Sequence, residues 1–294
     1  MSRESLCGFW GFAGGRIGAC RRPGPMQFLL CNFGLGVHMF TLKTLFASAL
    51  LLATGSVFGQ GTITSGGASY VLTASHWDTS PEVNFTGVGT GDQLFESGWW
   101  FRIEGDTQET VFPVPTTQNY TGNTATIAWT DIGGRGVGIS KTIALTSPGA
   151  GQGEAGTTIT ATNNGAAPIT LHLFNMADLD VNGSAGTDNA VSVDGNARYI
   201  RINDATAGQC EYRAPGSVGY LVLPFAAATD VAAQLSNTTV TNFANTGLPF
   251  GPGDFTGGFQ WTLQIPAGGT GTVQLYIACN TTATPVSLQR FSVD

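Results

Sequence analysis

Asp178, Asp180, Asn182, Gly183 and Ser184 form a D-x-D-x-N-G-S run, with Asp188 four residues further on. Hard divalent cations take oxygen ligands, and side-chain oxygens on alternate residues around a glycine turn let a short loop wrap Ca2+. The run therefore nominates Asp178, Asp180, Asn182, Ser184 and Asp188 as calcium ligands. It falls short of an EF-hand, because Asn189 stands where the bidentate Glu belongs and the preceding HLFNM is strand-like rather than helical. A metal-free Asx turn capping a strand would use the same residue types. Nothing else in the chain requires a cofactor.

A second concentration of chemistry runs from Gly98 to Asp106 as GWWFRIEGD, followed by Glu109. On a strand, alternation sends Trp99, Phe101 and Ile103 to one side and Trp100, Arg102 and Glu104 to the other. If the first set is core, the second presents an indole plate beside a cation and a carboxylate. That combination stacks on a sugar ring and hydrogen-bonds its hydroxyls. The competing arrangement is a Trp shielding an Arg–Glu pair beneath a covering loop, since buried indoles usually serve packing.

Glu104, Asp106 and Glu109 supply acids for a paired-carboxylate glycosidase, but such chemistry needs two acids at a fixed separation across one bond. His76 and His172 stand alone, and neither HExxH nor G-x-S-x-G nor a phosphate-cradling glycine loop occurs. A lone His on a strand is ordinarily a hydrogen-bonded or surface residue. No catalytic residue is nominated.

The elements that must position these groups are strands. Ala125, Ile127 and Trp129 alternate with polar residues, as do Ile169, Leu171 and Leu173, and Trp261, Leu263 and Ile265. Alternating runs broken by Gly, Asn, Asp and Pro are half-buried strands with one wet side. The expected fold is all-β, a large antiparallel β-sandwich of jelly-roll or supersandwich type, with at most one short helix, over Asp230–Asn237. One run is awkward: Val137, Ile139, Ile143 and Leu145 share a parity that would also send Lys141 inward. A buried Lys is costly, so a bulge that turns Lys141 outward is expected there.

Met39 to Gln60, MFTLKTLFASALLLATGSVFGQ, has the layout of a secretory signal peptide: Lys43, an apolar run from Leu45 to Ala53, and small residues before a cleavage point after Gly59. The expected organisation is an upstream segment 1–38, a signal peptide 39–59 and one domain 60–294, exported from a bacterium. Beyond Gly59 only Cys210 and Cys279 remain, and in an oxidising compartment they read as one disulfide. The same portion carries seven Lys and Arg against eighteen Asp and Glu, a formal charge of about minus eleven. Such a surface repels nucleic acid and anionic membrane. Neutral glycans, extracellular matrix, cations or other proteins are the partners left, and no second apolar run has the length of a membrane anchor.

DQLFESGWWFRIEGDTQET, LHLFNMADLDVNGSAGTDNA and TGLPFGPGDFTGGFQWTL together resemble a group of uncharacterised secreted bacterial proteins, some of which carry a Pro-Glu-Pro sorting tail. The resemblance implies export and a large β-sandwich, and no such tail follows Gln289. The expected function is a secreted, non-enzymatic, glycan-binding or matrix-associated protein. The alternatives are a polysaccharide-active enzyme on a supersandwich and a self-assembling surface component.

Overall fold

The computed structural model describes residues 61–72, 85–86, 92–149, 151–205 and 208–280. These all belong to one compact unit, Thr54–Asp294. The upstream segment, the signal peptide, His76 and the C-terminal segment beyond Asn280 lie outside the described residues.

Strands such as β7, β8 and β9 follow the alternation the sequence carries, and every named strand pair is antiparallel. β1 (Gly61–Ser65), β2 (Ala68–Leu72) and β3 (Phe85–Thr86) make a small sheet. A five-stranded sheet joins β4 (Glu96–Ile103), β5 (Thr110–Val111), β10 (Ile169–Leu179), β14 (Gly219–Pro224) and β16 (Phe255–Ile265) in the order β14-β16-β10-β4-β5. The large sheet takes β6 (Thr117–Thr121), β7 (Thr124–Trp129), β8 (Val137–Thr146), β9 (Gln152–Asn163), β11 (Asp188–Ser192), β12 (Tyr199–Asp204), β13 (Gln209–Arg213), β15 (Phe250–Gly253) and β17 (Thr270–Asn280). Its order is β15-β11-β12-β13-β17-β9-β8-β7-β6. The sheets pack through one core in which Leu171, Leu173 and Trp261 of the smaller sheet meet Ile127, Ile159, Ile202 and Leu275 of the larger. The expected all-β antiparallel sandwich is what forms.

One helix of a single turn and a half, α1 (Val231–Leu235), is present among the described residues within the expected Asp230–Asn237 stretch. Asp230 caps it by accepting the Ala233 N–H at 2.8 Å. The helix covers the smaller sheet: Val231, Ala232, Leu235 and Phe243 pack on Trp100, Phe174 and Met176 as a second apolar cluster.

Two expectations are corrected. β4 and β10 do not have a wet side; they are buried on both faces along nearly their whole length, because the segment between β14 and β15 lies over what would otherwise be the solvent face. Lys141 does not turn outward either. It is 0% exposed, since β8 pairs Lys141 with Ile127 and Ile159 in unbroken register and no bulge resets its parity.

Cys210 and Cys279 face each other in the β13–β17 pairing and form the disulfide, both buried on the core side. A cross-link between residues far apart in sequence narrows the unfolded ensemble. Replacing both cysteines by Ser should therefore lower the unfolding free energy by about 2–4 kcal/mol. Urea denaturation of the two proteins side by side tests this, and coincident curves would mean the strand pairing is sufficient by itself.

Candidate functional site

The expected sugar-binding plate is not on the surface. Trp100 is buried against Phe174 beneath α1 and Phe243, and Arg102 is only 4% exposed. The Arg102 Nε lies 2.9 Å from Glu109 Oε1, and Arg102 donates a hydrogen bond to Asn242 Oδ1 at 2.8 Å. Both Glu109 oxygens accept the Thr241 N–H. A Trp over a shielded Arg–Glu pair under a covering segment is thus the arrangement that forms, with Glu109 rather than Glu104 as the acid. Burial forces it: a guanidinium taken from water needs a counter-charge and donors' partners at hand.

The three candidate acids of this region each have a separate partner. Glu104 is exposed and bonds His172 Nε2 at 2.9 Å, an interaction that holds its carboxyl below the usual range. His172 also reaches the Thr262 hydroxyl at 3.0 Å, an ordinary hydrogen-bonded histidine. Asp106 receives both terminal nitrogens of Arg135 and the Ile103 N–H.

The Asp178 region assembles differently from its linear motif. β10 ends in Leu179, and a single 3-10 turn, Val181–Gly183, leads to β11 in the other sheet. Asp178 and Asp180 converge there with Asp254, the single residue that joins β15 of the large sheet to β16 of the small one. One carboxylate oxygen from each lies within 4.8 Å of the others. Asn182 sits in the left-handed region at φ 63° and uses its N–H on Gln93 Oε1, while its side chain is exposed. Ser184 turns away to donate to Asp204. Asp188 is close enough to feel Asp180 and Asp254. Burial first, then the neighbouring Asp180, Asp254, Glu96 and Asp230, pushes Asp178 up to about 9. Burial with Asp180 and Asp204 takes Asp188 to about 8, and burial with Asp254 and Asp92 takes Asp180 to about 6. Of the five nominated ligands the structure brings together Asp178 and Asp180, keeps Asp188 adjacent, and leaves Asn182 and Ser184 out.

Two further features were not visible in the linear order. On the outer side of the large sheet, Tyr199, Arg201, Glu211, Arg213, Glu154 and Tyr276 meet across four strands. Arg213 pairs with Glu154 and approaches Glu211, Tyr199 bonds Glu211, and each Arg lies over a tyrosine ring. The network pairs its charges internally.

At the end of the β11–β12 hairpin lies a polar groove of about 350 Å3, lined by Asn196, Arg198, Ser217, Tyr220 and Asn245 among others. Asn245, at φ 58°, clips onto Tyr220 through two hydrogen bonds, accepting the Tyr220 N–H on Oδ1 and giving its own N–H to the Tyr220 carbonyl. Among the described residues, the Arg198 guanidinium, the Tyr220 hydroxyl and the Asn245 amide NH2 have no hydrogen-bond or ion-pair partner. Sequence reasoning missed these residues because they come from separate stretches: the β11–β12 turn, the β13–β14 connection with the start of β14, and the segment before β15.

The fold and its sites define a large antiparallel β-sandwich with an acidic corner and an open polar groove. No protein-family model and no curated protein sequence matches the chain. Among solved structures it is similar to a bacterial glucoamylase complexed with acarbose, at 9% identity and a TM-score of 0.52, over 76% of this chain and 32% of that one. The chain thus spans about a third of the glucoamylase's length. It is also similar to a galactose mutarotase-like protein from Lactobacillus casei ATCC 334, at 7% identity and a TM-score of 0.41, over 76% of this chain and all of that one. A polysaccharide lyase matches at 12% identity and a TM-score of 0.41, over 76% and 32% of the respective chains. The glucoamylase likeness is one of fold.

The buried pair supplies a test of this geography. Glu109→Ala strands the Arg102 charge and should lower stability by about 3–5 kcal/mol, whereas Glu104→Ala, on an exposed side chain, should leave the denaturation midpoint almost unchanged. Equal effects in guanidinium unfolding would contradict the assignment of Glu109 as the partner of Arg102.

Proposed function

We propose that this protein is a secreted, non-enzymatic, sugar-binding β-sandwich whose ligand occupies the groove beside Tyr220. The observation that carries the reading is the set of unengaged groups on one concave surface: a guanidinium, an amide and a phenol on Arg198, Asn245 and Tyr220. Polar groups left open in a preformed concavity are what a small polar ligand can satisfy, and the groove volume suits one or two sugar rings. A tyrosine adds a π-surface for the apolar face of a pyranose and a hydroxyl for its edge. The lining provides hydrogen-bonding groups and a ring, which bind and orient. The sandwich is shared with a glucoamylase complexed with acarbose, though a fold alone does not fix a function. Export is supported by the signal-peptide layout of Met39–Gln60, and the acidic balance favours neutral glycans over polyanions.

The test is retention on a panel of soluble and insoluble neutral polysaccharides, with released reducing sugar measured in the same tubes. Wild-type protein should be retained without release, and Tyr220→Ala or Arg198→Ala should weaken retention by about tenfold, equivalent to about 1.4 kcal/mol each. Undiminished retention in both variants would remove the groove as the site. Sugar release would make the protein an enzyme.

A further inference from the structure

The acidic corner carries a second site, independent of the sugar reading. Asp178 is 2% exposed and its Oδ1 has no hydrogen-bond partner; Asp188 is 0% exposed, with the Val181 backbone N–H beside it. A buried unpaired carboxylate is among the most unfavourable groups a fold can carry. Here the strand register makes matters worse. Asp178 faces Glu96 across the β10–β4 pairing, and Asp188 faces Asp204 across β11–β12. Like charges directly opposite in an antiparallel pair destabilise it. The charged groups that act on Asp178, Asp180 and Asp188, besides one another, are all acids, Glu96, Asp92, Asp204, Asp230 and Asp254, with the Val181 N–H as a backbone donor to Asp188. The backbone is also drawn in tightly. Gly251 has φ 103° and no room for a side chain, because a Cβ there would lie 2.2 Å from the Asp188 carbonyl oxygen. That close approach brings β15 against β11 and sets Asp254 at the corner.

We infer that Asp178, Asp180 and Asp254 hold a single Ca2+ ion where the chain crosses twice between the two sheets, with Asp188 supplying further negative charge beside it. Carboxylates bound to one Ca2+ at 2.3–2.6 Å lie no more than about 5 Å apart, which the 4.8 Å separation meets. All the donors are oxygens, the choice of a hard cation, and water would complete the shell. The ion would tie the β10-to-β11 passage to the β15-to-β16 junction, so that each sheet is fixed to the other at one end. The ligand set differs from the linear D-x-D-x-N-G motif: Asp254 enters, and Asn182 and Ser184 leave.

The experiment is a calcium titration of chelator-treated full-length protein, read by calorimetry and by thermal melting, with magnesium as a parallel arm. Wild type should bind about one Ca2+ per chain, and its melting temperature should rise by roughly 5 °C or more at a hundredfold excess over Kd. Asp254→Asn should lose the binding heat and the rise, and Asn182→Gly should keep both. No heat and no melting shift in wild type at millimolar calcium would overturn the inference. So would a full shift retained in Asp254→Asn, or its loss in Asn182→Gly. Should Asp254→Asn fail to fold, the wild-type titration alone decides.

Discussion

The five-stranded sheet is covered on both sides, and that burial governs what the rest of the molecule can do. On one side the large sheet closes over Trp99, Phe101, Leu171, Leu173 and Trp261, where Trp99 and Trp261 stack with ring centroids 5.7 Å apart. On the other, α1 and Phe243 close over Trp100, Phe174 and Met176. Each fully buried aromatic or aliphatic side chain is worth roughly 1.5–3 kcal/mol, so closing both sides is strongly favoured over leaving one wet. The covering segment is held by polar contacts as well: Gln260 accepts the Phe243 N–H, and Asn242 receives hydrogen bonds from both Arg102 and Gln260.

Closing both sides traps polar groups, and the structure deals with them in two ways. In the middle of the sheet they are paired. Arg102 meets Glu109, and Asn175 donates to the Gly98 carbonyl and the Ser97 hydroxyl while accepting from Tyr212. At the end of the sheet, where strands pass from one layer to the other, acids gather against acids. The contrast lies in the sign of the neighbours. A buried charge with an opposite partner is tolerable, whereas several buried carboxylates stay neutral or share a cation.

A distinction between paired and unpaired charges also separates the two surface features. The tyrosine, arginine and glutamate network on the large sheet bonds internally and behaves as a cross-strand ladder. The groove beside Tyr220 keeps donors open, because the β11–β12 turn, the start of β14 and the segment before β15 supply them without supplying partners. Loops held by a rigid sandwich are where binding groups collect.

Much of the fold was legible in the chain. The alternation of Ala125, Ile127 and Trp129, and of Val273, Leu275, Ile277 and Cys279, determined strands with a defined core side, because side-chain direction on a strand repeats every two residues. It also put Cys279 inward, where its disulfide with Cys210 forms. The Asp230–Asn237 stretch announced a short helix, and the Asp178–Asp180 spacing marked an acidic turn. Only tertiary structure decided the rest. Parity says which residues share a face, but whether a face is wet depends on what distant segment covers it, and so Trp100 and Arg102 lie inside; Lys141 is buried because β8 keeps its parity without a bulge. Likewise Asp254 joins Asp178 and Asp180 only because two strand crossings meet at one corner. That meeting is fixed by the packing of sheets from remote parts of the chain, which a local pattern cannot encode.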